Sequence, residues 1–312
     1  RTLAGQDVEA IDGFRRVLAL KADLHEAQVN LGQLLVKTGK DEEAIPLLEA
    51  AVQAKPNESK PHYLLGRALA GRQKWTRAAA EMERASELEP NNSELRLELA
   101  GVFEKAQQPD KAAAMYTLFE GDPAARERLG LLQLNKGEFG PAIGNLEAAR
   151  AKAPTAALLY ALATAYLRNQ QKDKAALAAA DLVAMEPNNT EMRMFLGRLL
   201  RDQNKYDEAA KQFFVVTKTK PDSGEAWNEL TSMLILLKQY EPALAALEKS
   251  KSLNGETPAY HYFRAIMLDA SKQLKPALES YKQFLAVSEG KHPDEEFKAR
   301  QRVKVLGKAV NK

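Results

Sequence analysis

The residues of this chain best suited to chemistry are its histidines and its adjacent carboxylates. The 312 residues include four histidines, His25, His62, His261 and His292, and no cysteine. A helical metal site needs ligands about one turn apart, and no two of these histidines are that close. Acidic pairs such as Glu42-Glu43 and Asp207-Glu208 sit where helices would begin, and there the positive end of the helix dipole accounts for them. The chain has no Gly-rich phosphate loop, serine nucleophile elbow or His-Glu-x-x-His pair, so the usual signatures of phosphoryl, acyl and metal-assisted chemistry are missing. With no cysteine, disulfides and thiolate metal sites are excluded. No catalytic residue, cofactor or metal is expected.

What the sequence does contain is a recurring element. The stretch NKYDEAAKQF (204–213) is rewritten as GKDEEAIPLL (39–48), QKWTRAAAEM (73–82), KQYEPALAAL (238–247) and five other versions. Each carries alanine in its sixth place: Ala10, Ala44, Ala78, Ala112, Ala142, Ala175, Ala209, Ala243 and Ala277. Successive spacings are 34, 34, 34, 30, 33, 34, 34 and 34 residues, the mark of a repeat array in which each unit packs on its neighbours.

Residues 190–223 serve as a sample unit. Thr190 can cap a first helix, with Glu191 in its first turn and Met192, Phe195, Leu196, Leu199 and Leu200 as its apolar stripe. Asp202-Gln203-Asn204-Lys205 interrupts the stripe. Asp207-Glu208 then opens a second helix carrying Ala209, Ala210, Phe213 and Val216, and Pro221 ends it. Helices of this length are marginal alone in water, so stability must come from stacking. The alanines allow close helix crossings, and the matching places on the first helices hold Gly32, Gly66, Ala100, Gly130, Ala163, Gly197 and Ala265, with Thr231 as the exception. Pro46 falls inside an otherwise helical stripe, where a small distortion is expected.

With these motifs the chain resembles the tetratricopeptide repeat family. The features that match are the small residue after leucine (Leu31-Gly32, Leu65-Gly66, Leu196-Gly197), the aromatic three places before the shared alanine (Trp75, Phe139, Tyr206, Tyr240), Trp227 near a first-helix start, and the closing Pro56, Pro90, Pro154, Pro187 and Pro221. The resemblance covers eight units, 25–58, 59–92, 93–122, 123–155, 156–189, 190–223, 224–257 and 258–290, with a half unit at 1–24. It implies an all-α superhelical solenoid of antiparallel helix pairs. His62 and His261 share the register of Trp227, which is a packing place. Unit 93–122 is one turn short, and Gly121-Asp122-Pro123 should end its second helix early and start the next. A local bend is expected there.

In this family the first helices line a concave groove that binds protein or peptide partners. The register places Tyr63, Arg67, Glu98, Arg128, Tyr160, Met194, Arg198, Arg201, Asn228 and Tyr262 on that face, together with Asn30, Gln33, Leu97, Glu127, Ser232 and Phe263. Arginine and aromatic residues of this kind are favoured at interaction hot spots. The family's clamp for a C-terminal carboxylate uses lysine and asparagines, but the corresponding places hold Val29, Gln33, Leu64, Glu94 and Glu98, so that clamp is not expected. The expected role is a non-catalytic scaffold; the alternative is a recognition arm of a longer polypeptide. The chain opens at Arg1 inside a repeat, so upstream sequence is expected.

Net charge is +3. Residues 291–312 hold seven Lys/Arg against three Asp/Glu, an excess of four, so residues 1–290 carry about −1. Phosphate binding needs a basic track, so a nucleic-acid partner is not expected. The segment 293–310 breaks the period. Its Phe297, Val303, Leu306 and Val310 suggest one apolar side, and it is read as a capping helix for the last repeat, with docking on an acidic surface or membrane as the second reading. The most apolar run, AALLYALATAYL (156–167), is twelve residues long, too short to span a bilayer. A soluble chain is expected, cytoplasmic or, if a leader was removed, periplasmic or secreted; oligomeric state is not legible.

Overall fold

The computed structural model describes residues 3–310. Among them all regular structure is α-helical, eighteen helices in two compact units that divide between Pro154 and Thr155. In the first unit α1 (Leu3–Leu20) precedes four pairs: α2 (His25–Lys37) with α3 (Asp41–Ala54), α4 (Ser59–Gly71) with α5 (Trp75–Leu88), α6 (Ser93–Lys105) with α7 (Pro109–Tyr116), and α8 (Pro123–Lys136) with α9 (Phe139–Arg150). The second unit pairs α10 (Ala156–Arg168) with α11 (Lys172–Met185), α12 (Thr190–Asp202) with α13 (Tyr206–Thr219), α14 (Gly224–Leu236) with α15 (Tyr240–Asn254), and α16 (Pro258–Ala270) with α17 (Leu274–Val287). It ends with α18 (Pro293–Val310). Within each unit successive helices pack on one another, the arrangement of an all-α solenoid.

The small residues lie where two helices touch. Ala44, Ala78, Ala112, Ala142, Ala175, Ala209, Ala243 and Ala277 are fully buried, while Ala10 on α1 is half-buried. A Cβ added at Gly66 would lie 2.3 Å from Met82 Cγ, and one at Gly197 would lie 2.5 Å from the Phe213 ring. Thr231, the exception, is still buried because its hydroxyl turns back to donate to the Trp227 carbonyl at 2.8 Å.

The turn within each pair repeats a single device. Gly39, Gln73, Gln107, Gly137, Gln170, Asn204, Lys238 and Lys272 all adopt positive φ, between 57° and 85°. The next residue's N–H then donates to a carbonyl five residues back, as in Lys74 to Leu69 (2.9 Å), Lys205 to Leu200 (2.9 Å) and Gln239 to Leu234 (2.8 Å). This Schellman geometry satisfies the carbonyls that a helix end leaves open. Six of the eight positions carry a side chain in a backbone region that costs an L-residue about 1 kcal/mol. Lys238→Gly is therefore expected to stabilise the second unit by about 0.5–1 kcal/mol, measured by urea denaturation; an unchanged midpoint would show that the lysine stem repays the backbone cost.

The short repeat carries the start signal expected of it. Asp122 accepts from Ala124 N and Ala125 N at 2.8 and 3.1 Å, and Pro123 opens α8. The stop differs from expectation: α7 has eight residues and already ends at Tyr116, and Gly121 keeps a negative φ. One other local expectation is also corrected. The cap of α12 is Asn189, whose Oδ1 accepts from Met192 N at 3.2 Å, so Thr190 is already helical. Helix α3 continues through Pro46.

The terminal helix α18 packs on α17 with the expected Val303, Leu306 and Val310 on its inner face, but without the expected Phe297. Glu296, Ala299 and Leu306 are buried and Val303 is half-buried, whereas Phe297 is 63% exposed. Positions 296, 299, 303, 306 and 310 share one face at i, i+3 and i+4 spacing, and Phe297 lies one residue, about 100°, off it. A carboxylate occupies a place where the pattern asks for an apolar side chain. Its charge is met by the Gly290 N–H and by Arg300, each at 2.7 Å. Across the interface Arg302 grips Asp269 of α16 with two contacts of 2.7 Å.

The Ser288 hydroxyl beside Glu296, with the Gly290 N–H and Arg300, holds its carboxyl below the usual glutamate value of 4.5, against the upward push of burial. A carboxyl that titrates lower folded than unfolded contributes stability above the unfolded value, and this is lost as pH falls through the lower folded value. Amide protection over α18 should therefore drop below pH 4.5 in the native chain and less steeply in Glu296→Gln. Superimposable pH profiles for the two would refute this role.

Candidate functional site

The expected groove residues are carried by first helices in both units, and each unit gathers its own cluster. In the first unit α4 and α6 bring Tyr63, Arg67 and Glu98 together. The Tyr63 hydroxyl donates to Glu98 at 2.6 Å, and Arg67 Nε sits 3.2 Å from the other carboxylate oxygen. The Arg67 guanidinium lies 5.8 Å from the Tyr63 ring centre. Burial first, then the bond to Glu98, pushes the phenol up to about 12, so Tyr63 stays a neutral donor at physiological pH. Tyr63 and Arg67 line a cavity of about 560 Å³ together with Gln33, Lys60 and Asn92. Arg128 does not join them; it approaches Glu104 at 3.8 Å, and Tyr116 donates to that same carboxylate at 2.6 Å.

In the second unit Tyr160 is 46% exposed on α10, with its ring centre 5.7 Å from that of Phe195 on α12. Arg198 and Arg201 converge on α14. Arg201 reaches both oxygens of Glu229 at 2.8 and 2.9 Å, and Arg198 pairs with Glu225 and Glu229. Both cations of this face therefore bind the next helix within the chain itself. Exposed pairs of this kind are worth roughly 0–1 kcal/mol. Asn228 accepts from the buried Ser250 hydroxyl at 2.5 Å, and Asn254 donates to that hydroxyl in turn. The polar cluster borders a cavity of about 280 Å³ that also touches Phe263.

One other placement is corrected. Met194 is buried at 7% exposure and is not available on a surface; at this register a flexible apolar side chain gains by leaving water. Tyr262 is half-buried with its ring 4.9 Å from the buried Phe284, and its neighbour Phe263 is the more exposed aromatic.

Glu104, Glu225 and Glu229 were missed from sequence, although a signal existed. Glu98 follows Arg67, and Glu229 follows Arg198, by 31 residues in each case, an acid on the next first helix. A second missed feature is a set of staples. The fourth residue of a first helix donates to the carbonyl six residues earlier in the linker: Gln28 to Ala22 (2.9 Å), Arg126 to Glu120 (3.0 Å), Arg193 to Pro187 (2.7 Å) and Trp227 to Pro221 (2.9 Å), with His62 Nε2 at 3.1 Å from the Pro56 carbonyl. Arg126, Arg193 and His62 reach on to Asn145, Gln212 and Glu81 of the second helix. His62 and His261 are both buried, as a packing place requires. Trp227→Phe keeps most of the ring but removes the donor. It should cost about 1 kcal/mol by thermal denaturation; no loss would make the staple incidental.

Among the described residues no group of three or more histidines and carboxylates could hold a metal ion, and no helix is long and apolar enough to cross a membrane.

Comparisons with known proteins bear on the same elements. A family model described as tetratricopeptide repeat matches residues 63–126, 127–189, 160–223 and 194–261, and a second of the same description matches 25–58. No curated protein matches the sequence. The C-terminal part of a TPR repeat-containing protein from Cytophaga hutchinsonii is 18% identical, with a TM-score of 0.56 over 74% of this chain and 97% of its own. A chain in the structure of Naa15/Naa10 bound to HypK-THB is 14% identical, with a TM-score of 0.57 over 97% of this chain and 49% of its own. At such identities the two structures speak to the fold alone. Since the family model spans well over half of the residues, and since close glycine and alanine crossings recur with the same period in both units, the chain belongs to the tetratricopeptide repeat family.

Proposed function

We propose that this chain is a non-catalytic scaffold that holds a peptide or partner protein along the faces of its first helices, chiefly through the partner's apolar and aromatic side chains. Tetratricopeptide repeat proteins bind protein partners and are generally non-catalytic. The observation that carries the finer reading is in the second unit. There Arg198 and Arg201 are already neutralised by Glu225 and Glu229, while Tyr160, Leu236 and Phe263 on the same set of helices remain 46%, 52% and 36% exposed. Burying such side chains against a partner supplies the affinity, and paired charges at the rim supply little.

A displayed library of random peptides gives the test. Peptides selected on the chain should be rich in aromatic and aliphatic residues. Their binding, read by fluorescence polarisation, should fall about tenfold or more in Tyr160→Ser with Phe263→Ser, the loss expected when contacts worth 1.4 kcal/mol or more are removed. Selection of acidic peptides, or equal binding by a folded double variant, would overturn the reading.

A further inference from the structure

The outward side of α18 carries charge that nothing in the fold uses. Phe297, Lys298, Gln301, Lys304, Val305 and Lys308 are all exposed on this helix. At 100° per residue they fall on one continuous arc opposite the buried Ala299 and Leu306. Phe297 and Val305 are 63% and 53% exposed. Lys298, Lys304 and Lys308 make no hydrogen bond or ion pair among the described residues. The two arginines of the helix do: Arg300 holds Glu296 and Arg302 holds Asp269. The one exposed carboxylate on that arc is Asp294, in the first turn, where the helix dipole accounts for it. Capping explains the buried face and both arginines, but it leaves the three free ammonium groups and the exposed phenylalanine unexplained.

We infer that this face docks on an anionic lipid surface. The occupant must be acidic to match three unpaired lysines. The docking element is the convex ridge of one helix, which has no groove walls to seat a peptide but can lie along a plane for its whole length. From Phe297 to Lys308 that length is about 16 Å at 1.5 Å per residue. Lying on a bilayer, the helix buries Phe297 and Val305 at the boundary between headgroups and acyl chains and sets its ammonium groups among the phosphates. The binding is peripheral and reversible, because two apolar side chains and three charges fall far short of an anchoring segment.

Co-sedimentation of the full chain tests this, with phosphatidylcholine vesicles against vesicles that also contain phosphatidylglycerol. Binding is expected to the anionic vesicles alone and should weaken as salt shortens the screening length. Each lysine near such a surface strengthens binding about fivefold, so Lys298→Gln with Lys304→Gln and Lys308→Gln should weaken it on the order of a hundredfold. A second readout avoids reliance on that variant's folding: the fluorescence of Phe297→Trp should shift to the blue on adding anionic vesicles. No sedimentation with anionic vesicles, sedimentation that ignores their charge, or an unshifted tryptophan would each overturn the proposal, and the first of these would leave an acidic protein as the occupant of this face.

Discussion

Phe213→Ala is expected to destabilise the second unit by about 3–5 kcal/mol, seen as a lower urea midpoint with an unchanged slope. The ring is wholly buried on α13 and lies against Gly197 of α12, so alanine leaves a cavity at the closest point of the helix crossing. The same contact predicts a reversal of sign. Gly197→Ala in the native background places a methyl group 2.5 Å from Phe213 Cε1 and 2.8 Å from Cζ, and neither a rigid ring nor the facing helix can yield without loss of packing. In the Phe213→Ala background that obstruction is gone. The methyl group then fills part of the void, and alanine brings its helix-propensity gain of about 1 kcal/mol over glycine. The double-mutant cycle should therefore give a coupling of at least about 1 kcal/mol. Additive effects would mean that the crossing is looser than its geometry states, and that the repeated small residues do not set the helix separation.

Leu306→Asp should release α18. Leu306 is 2% exposed within a cluster that includes Leu278, Tyr281 and Phe284. An unpaired carboxylate there costs more than the helix gains by docking, so the helix leaves rather than bury the charge. The expected readout is loss of amide protection over residues 293–310, together with self-association as the apolar surface of α17 is uncovered. Phe297→Asp is the matched control. The side chain is larger but points outward, so its replacement should change stability by no more than about 0.5 kcal/mol. Equal damage from both variants would place the buried stripe where the sequence first suggested it.

That contrast marks what one sequence can reveal. The 34-residue recurrence of alanine and its small partners fixed the helix pairs, because a close crossing tolerates few side chains and the constraint is local to the residues that meet. On α18 the register found Val303, Leu306 and Val310 but misplaced Phe297, because Glu296 occupies the apolar position beside it. Arg300 on the same helix and the Gly290 N–H, brought to Glu296 by folding, help offset the cost of its burial. The candidate site divides in the same way. Register placed Tyr63, Arg67 and Glu98 on one face, and they do meet. It also placed Met194, Arg198 and Arg201 there; packing withdrew the first, while Glu225 and Glu229 pair with the two arginines.

By itself, then, the sequence determined that the chain folds as stacked helix pairs, since periodic burial is a property of spacing along one strand of polypeptide. Which side chains remain available to a partner was decided only by the tertiary structure. Exposure and ion pairing depend on what a neighbouring helix brings within about 4 Å, and that distance is set across repeats rather than along them.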